Sequence, residues 1–140
     1  MWRRLKNFFF SVITYNYLCP DLKIRRLVNQ ALRHRAALSL DEWFECFWQH
    51  KCIAKSVVAF VYIYLEKYSG LQMARVRPSD RLERDLHFSL ICWFDWQLNL
   101  CEDFFQCFGI DISERLQLCQ FSTVEDFVAF LNKEFNSNLQ

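Results

Sequence analysis

The sequence predicts an all-α protein, with a helical bundle over residues 53–140 preceded by a basic helical extension over residues 1–52. Three observations carry that reading. Glycine and proline number only two each in 140 residues, so the sharp turns that a sandwich or barrel needs are nearly missing. Hydrophobic residues make up 53% and aromatics 18%, enough to bury a core, and no internal repeat or low-complexity run is visible. Apolar residues recur at helical spacing through long segments, several of which open on a helix-capping residue.

Residues 1–18 read MWRRLKNFFFSVITYNYL. The basic start and the FFFSVI run look like a weak signal peptide. The run is short, however, Asn16 interrupts it, and no small-residue cleavage site follows. It is also too short and too polar to span a bilayer. Wound as a helix, it puts Trp2, Leu5, Phe8, Phe9, Val12 and Ile13 on one face. That face either docks on the rest of the protein or rests on an anionic membrane surface. Pro20 breaks the chain, and Asp21 can cap a second helix over residues 22–37 with Ile24, Leu27, Val28, Ala31 and Leu32 as its apolar stripe. Ser39 and Glu42 have the spacing of a capping box for a third helix, DEWFECFWQH, with Leu38 and Trp43 placed for a hydrophobic staple.

Residues 53–69 contain β-branched and aromatic residues that suit a strand. Their length and the spacing of Val57, Phe60, Val61, Tyr64, Leu65 and Tyr68 favour a helix that stops at Gly70. A connecting loop follows, then a short turn that Ser79 or Asp80 can cap. The spacing predicts one long helix over residues 89–108, ending at Gly109. Trp93, Phe94, Trp96, Leu98, Leu100, Phe104, Phe105 and Phe108 lie in it, so most neighbouring segments are expected to pack on it. A loop then carries Leu116, Leu118 and Phe121 inward. Ser122 and Glu125 have capping-box spacing for a last helix, which buries Val124, Phe127, Val128, Leu131 and Phe135.

Charge is lopsided. Residues 1–38 hold eight Lys/Arg against Asp21 alone, giving +7, and the remainder holds nine against fifteen acids, giving −6. The basic arm either packs on the acidic body or meets an external anionic partner. No recognised binding motif accompanies the basic residues of the second helix, which argues for a solvated face rather than nucleic-acid binding. The seven cysteines are odd in number and none has CxxC spacing, so a reducing compartment follows most simply. His34, His50 and His87 lie far apart, and no structural metal is expected. No GxGxxG, P-loop or GxSxG phrase is present, and nothing in the spacing proposes an enzyme.

From about Ala54 onward, Pro78-Ser79-Asp80-Arg81-Leu82-Glu83-Arg84-Asp85-Leu86, Phe108-Gly109-Ile110-Asp111-Ile112 and Thr123-Val124-Glu125-Asp126-Phe127-Val128 stand in an order that resembles the acyl carrier protein family. It is also similar to small bacterial relatives of that family without obvious carrier chemistry. The resemblance implies a long first helix, a long loop, a second helix and a closing helix. It also implies a serine at the start of the second helix bearing 4′-phosphopantetheine, and an acidic second-helix face that meets partner enzymes. Ser89, in Phe88-Ser89-Leu90, matches that serine, while Phe88 stands where the family has an acid. Ser89 is therefore either an attachment point or a helix cap. Where the family has that acidic face, this segment shows mainly Asp95, Glu102 and Asp103 amid tryptophans and phenylalanines, and these three are the candidate partner contacts.

The expectation is a non-catalytic protein, without cofactor, that acts by binding a protein partner. It would be cytoplasmic, and peripheral to the inner face of the membrane if the N-terminal face binds lipid. The alternatives are a genuine carrier with phosphopantetheine on Ser89, and a membrane-associated adaptor using residues 1–18.

Overall fold

The first helix described, α1 (Leu22–Leu32), starts where Asp21 can satisfy it, since its carboxylate accepts the amides of Lys23 and Ile24, each at 3.1 Å. The structure is a computed structural model that describes residues 19–118 and 120–138. The proposed N-terminal face of Trp2, Leu5, Phe8, Phe9, Val12 and Ile13 lies outside the described residues. α1 ends five residues earlier than the sequence suggests. Beyond it the carbonyls of Arg33 and Arg35 accept from Arg75, and that of Ala36 accepts from Arg77 at 2.7 Å. These contacts tie the segment after α1, where the chain is no longer helical, to residues 73–77.

α2 (Leu40–Phe47) opens on the expected capping box, with Ser39 and Glu42 exchanging hydrogen bonds at 3.2 and 3.1 Å. It is shorter than expected and tightens into a 3-10 turn over Gln49–Lys51, where Cys52 takes a left-handed conformation. Trp43 and Trp48 are fully buried and meet edge to face. The Trp43 indole N–H donates to the Val76 carbonyl at 2.8 Å, which satisfies the polar end of a buried ring.

α3 (Lys55–Ser69) buries Val57, Val58, Phe60, Val61 and Leu65 and stops at Gly70, whose φ of 72° only glycine adopts without strain. Gly70 answers a second demand as well. The Arg25 side chain lies where a Cβ would stand, 2.8 Å away. The start of α3 has no side-chain cap of its own, and the buried Asn132 accepts the Ala54 amide at 3.0 Å instead.

Between α3 and the next helix the chain runs through a 3-10 turn, Met73–Arg75, to Asp80. Neither Ser79 nor Asp80 caps a helix there. Asp80 is buried, accepts the Arg77 amide at 2.7 Å, and takes both terminal nitrogens of Arg35 at 2.7 and 2.9 Å. This bidentate pair ties the segment after α1 to the loop. The pair holds the Arg35 guanidinium above its ordinary pKa, chiefly through its hydrogen bonds to Asp80.

The long helix expected over residues 89–108 is two helices. α4 (Phe88–Ile91) is a single turn, Cys92 is extended, and α5 (Trp96–Phe108) begins after a bend. In a continuous helix the carbonyls of Leu90 and Ile91 would accept from residues 94 and 95. Here α1 takes both: the Asp21 amide donates to Leu90 at 2.8 Å, and the Arg25 guanidinium to Ile91 at 2.7 Å. α5 ends at Gly109, at a φ of 70°, as expected.

Part of the segment expected as a loop is a short helix, α6 (Ser113–Leu118), entered through Asp111, whose carboxylate accepts the Ser113 amide and hydroxyl. The last helix, α7 (Val124–Ser137), is capped by Thr123 and Asp126, one position along from the Ser122–Glu125 pair. The shift follows from the loop. Val124 donates to Asp80 O at 2.9 Å and Glu125 to Pro78 O at 3.0 Å. The amide of Asp126 is the next one free, and the Thr123 hydroxyl accepts it at 3.2 Å. Arg81 and Thr123 form one isolated antiparallel bridge; no strand occurs among the described residues.

α3 packs on α7 and on α5, with Phe60 meeting Phe104 edge to face at 5.3 Å. Val28, Leu32, Trp43 and Trp48 from the basic extension lie in the same core. The architecture is an all-α helical bundle. Phe127 and Leu131 are at most 1% exposed, so Phe127→Ala and Leu131→Ala should each cost about 2–5 kcal/mol. Arg35→Ala strands the buried Asp80 carboxylate and should cost about 3–5 kcal/mol, whereas Arg33→Ala, at an exposed position, should stay within about 0.5 kcal/mol. Denaturant melts of the four variants check this; wild-type midpoints for the first three would remove α7 and the Asp80 pair from the account.

Candidate partner-binding face

α5 is apolar on two adjacent faces. Trp96, Leu100, Phe104 and Phe108 follow one another at four-residue spacing and turn inward; Leu100 and Phe104 are fully buried, Trp96 and Phe108 half-buried. Phe94, Leu98, Cys101 and Phe105 recur at spacings of four, three and four and form a second stripe. That stripe stays in solvent: Phe94 is 65% exposed, Leu98 68% and Phe105 54%, with Trp93 at 47% and Leu90 at 49% beside its start. Neighbouring segments do pack on this helix, as expected, but only on one side of it. One helix has two apolar faces, and the bundle supplies neighbours for one of them.

The bend between α4 and α5 contributes to this exposure, since Trp93 and Phe94 lie in it rather than in a helix. Clustered exposed aromatic and aliphatic side chains on a small protein mark an interaction surface more often than scattered single ones do. Two depressions flank α5. A groove of about 160 Å³ opens between α5 and α6, lined by Phe94, Asp95, Leu98, Cys101, Ser113 and Leu116 among others. A wider cleft of about 310 Å³ lies towards α3, lined by Lys67, Tyr68, Trp93, Trp96, Asn99 and Asp103.

The three acids proposed from the sequence are distributed around this region. Asp95 sits at the N-cap position of α5, makes no side-chain capping bond, and lines the groove. Glu102 is exposed on α5. Asp103 is half-buried and engaged: it accepts from the Tyr68 hydroxyl at 2.5 Å and stands 3.9 Å from the Lys67 ammonium. Burial, then the Asp103 carboxylate, pushes the Tyr68 hydroxyl well above its ordinary pKa, so it stays a donor. α5 carries two acids, Glu102 and Asp103, with Asp95 at its N-cap, and no Lys, Arg or His, so its exposed apolar stripe is bordered by negative charge alone along this helix.

Ser89 is exposed, in the single turn of α4. It does not cap that turn. Its hydroxyl donates to the Glu83 carboxylate at 2.6 Å, with its amide 3.3 Å from the same oxygen. His87, just before α4, takes a left-handed conformation with φ of 55°. Among the described residues no group of three His, Cys, Asp or Glu side chains is placed to hold a metal ion, and no helix is long and apolar enough to cross a membrane.

The exposed stripe was missed from the sequence because size and hydrophobicity alone assign such residues to the core. The usable signal was the spacing of positions 94, 98, 101 and 105, offset from that of 96, 100, 104 and 108. No family model, curated protein or solved structure matches this chain.

Cys92 lies in the bend and is buried, and that burial pushes its thiol up to about 12 from an ordinary value near 9.0. The folded state holds this proton more tightly than the unfolded state. The stability it contributes is complete below pH 9 and is lost as pH rises towards 12. Iodoacetamide at pH 8 should therefore label the exposed Cys46, Cys52 and Cys107 and spare Cys92 until the protein is unfolded. Peptide mapping reads this out, and equal labelling of Cys92 and Cys46 in the folded protein would mean that the packing of α1 on the bend is wrong.

Proposed function

We propose that this protein is a non-catalytic, acyl-carrier-like helical protein that works by binding a partner protein, and that the partner presents a basic amphipathic helix to α5. The single observation that carries the reading is the exposed Phe94–Leu98–Phe105 stripe, bordered by Asp95 and Glu102 and opening into the groove against α6. An amphipathic helix lays its apolar residues into such a groove at the same helical spacing. Negative charge at the border selects a basic partner and speeds its encounter more than it tightens the complex. The long α3, the long loop after Gly70, Gly109 at the end of α5 and the Thr123 cap stand in the order that the family resemblance implies, which supports the acyl-carrier-like part of the reading.

A second reading is favoured by one observation. The Ser89 hydroxyl is exposed and hydrogen-bonded to Glu83, a carboxylate placed to accept its proton. Those two residues fit an attachment point for phosphopantetheine, which would supply a thiol for carrying an acyl group. Phe88, fully buried against Trp96, cannot supply the acid that the family has at that position. Protein purified from its own host, measured as intact mass, separates the readings, because the carrier requires the prosthetic-group mass on Ser89 and the binder requires none.

The binding reading is tested in host cells with a photo-reactive amino acid in place of Leu98 and, as control, in place of Leu27 on α1. A discrete cross-linked partner is expected from position 98 and not from position 27. With that partner in hand, Phe105→Asp should weaken binding by about 2 kcal/mol or more, roughly 30-fold in Kd. Cross-linking that is absent at 98, or equal at the two positions, would overturn the reading.

A further inference from the structure

We propose that the cleft between α5 and α3 binds a small zwitterion of the betaine class, with its quaternary ammonium against the Trp93, Trp96 and Tyr68 rings beside Asp103 and its anionic group at Lys67. The cleft shares no lining residue with the groove against α6, and the proposal does not rest on the partner-binding reading.

The first observation is the lining. The cleft encloses about 310 Å³, at the lower end of the roughly 300–1,000 Å³ of small-molecule sites, and three of its six lining residues are aromatic. Tryptophan is the side chain whose ring face attracts a cation best. Two of the three rings are held from behind. The Trp96 ring meets Phe88 edge to face at 5.6 Å and Phe127 at 6.5 Å, and Tyr68 lies 6.3 Å from it at 41°. The Tyr68 hydroxyl is tied to Asp103. Walls fixed before a ligand arrives cost little to order on binding. Trp93, in the bend, is the exposed third ring.

The second observation is charge. Lys67 and Asp103 carry the two charges of the cleft, and they stand 3.9 Å apart, at the far limit of an ion pair. The Lys67 ammonium is exposed and also lies over the Tyr64 ring at 5.4 Å. A simple cation would meet Lys67 as a like charge, and a simple anion would meet Asp103 in the same way. A ligand with both charges a few ångströms apart answers each of them. Asn99 lines the same cleft, is exposed, and adds an amide donor for the anionic group.

The third observation concerns the kind of cation. The Oδ2 of Asp103 already accepts from Tyr68, and the Tyr68 hydroxyl directs its proton there. The cleft therefore offers a cation ring faces and a carboxylate with one oxygen occupied. That suits an ammonium with no N–H to satisfy.

The test uses the purified full chain and three probes. Glycine betaine carries both charges. Choline keeps the quaternary ammonium and lacks the carboxylate. Tert-butylacetate keeps the carboxylate and has carbon in place of the charged nitrogen. Binding is followed by NMR at the indole N–H groups of Trp93 and Trp96. Glycine betaine should shift both saturably and bind about five-fold tighter, or more, than either of the other probes. Asp103→Asn, which keeps an acceptor for Tyr68, should weaken glycine betaine and choline and leave tert-butylacetate no weaker. Lys67→Met, at an exposed position, should weaken glycine betaine and tert-butylacetate and leave choline no weaker. Unshifted Leu27 methyl resonances show that each variant is folded. The absence of a saturable shift with glycine betaine would overturn the proposal. So would equal affinity for glycine betaine and tert-butylacetate, which would mean an apolar cleft that selects no cation. Choline binding as tightly as glycine betaine would overturn it in favour of a site for cations alone. Because no protein partner takes part, each of these results leaves the partner-binding reading to its own cross-linking test.

Discussion

The carbonyls of Leu90 and Ile91 are taken by α1, one by the Asp21 amide and the other by the Arg25 guanidinium. Much of the candidate site depends on that capture. In a continuous helix these two carbonyls would accept the amides of residues 94 and 95, and here they face α1 instead. With both carbonyls occupied, α4 ends after one turn and the chain bends through Cys92 to Asp95. The bend leaves Trp93 and Phe94 in solvent and sets the direction of α5. Arg25 can reach because α3 ends in a glycine with no Cβ to obstruct its side chain. A residue of the basic arm, a helix end in the bundle and the bend that exposes the apolar stripe are thus parts of one junction.

A second junction holds the frame still. Asp80 receives Arg35 from the end of the arm and the Arg77 amide from its own loop, while its backbone carbonyl receives the first amide of α7. Trp43 reaches the same loop through the Val76 carbonyl. The loop between α3 and α4, without regular structure of its own beyond one 3-10 turn, is where α1, α2 and α7 are joined. Buried ion pairs of this kind add little net stability over an apolar replacement, yet removing one partner is costly. The pair therefore acts mainly to fix geometry. That part of the basic charge is structural explains why the arm and the body, oppositely charged as they are, need no external anion to account for Arg25 and Arg35.

The sequence was informative wherever a local rule decided the outcome. Gly70 and Gly109 stop their helices, Ser39 and Glu42 form their box, and Phe127, Val128 and Leu131 are buried, because each follows from spacing and cap chemistry within a few residues. It was uninformative wherever a distant group intervened. The break at Cys92 depends on Arg25, 66 positions from the carbonyl it takes. The early end of α1 depends on Arg75 and Arg77. The one-residue shift of the last cap depends on which amides the Pro78–Asp80 loop removes first. In the candidate site the acids were legible as an acidic face by resemblance. The apolar stripe they border was not, since exposed and buried phenylalanines look alike until a helix is assigned two faces and a bundle with room for one.

An exposed apolar stripe bordered by acids, on a helix whose start is set by the arm, is a surface suited to holding another helix. All of it rests on α4 and α5 being separate, and residue-resolved amide hydrogen exchange tests that most directly. The amides of Trp93, Phe94 and Asp95 have no backbone acceptor among the described residues. They should exchange quickly while those of Leu100 to Phe104, inside α5, are protected. Unbroken protection from Ser89 through Phe108 would mean one continuous helix, and would contradict the bend, the exposure of Trp93 and Phe94, and the face built on them.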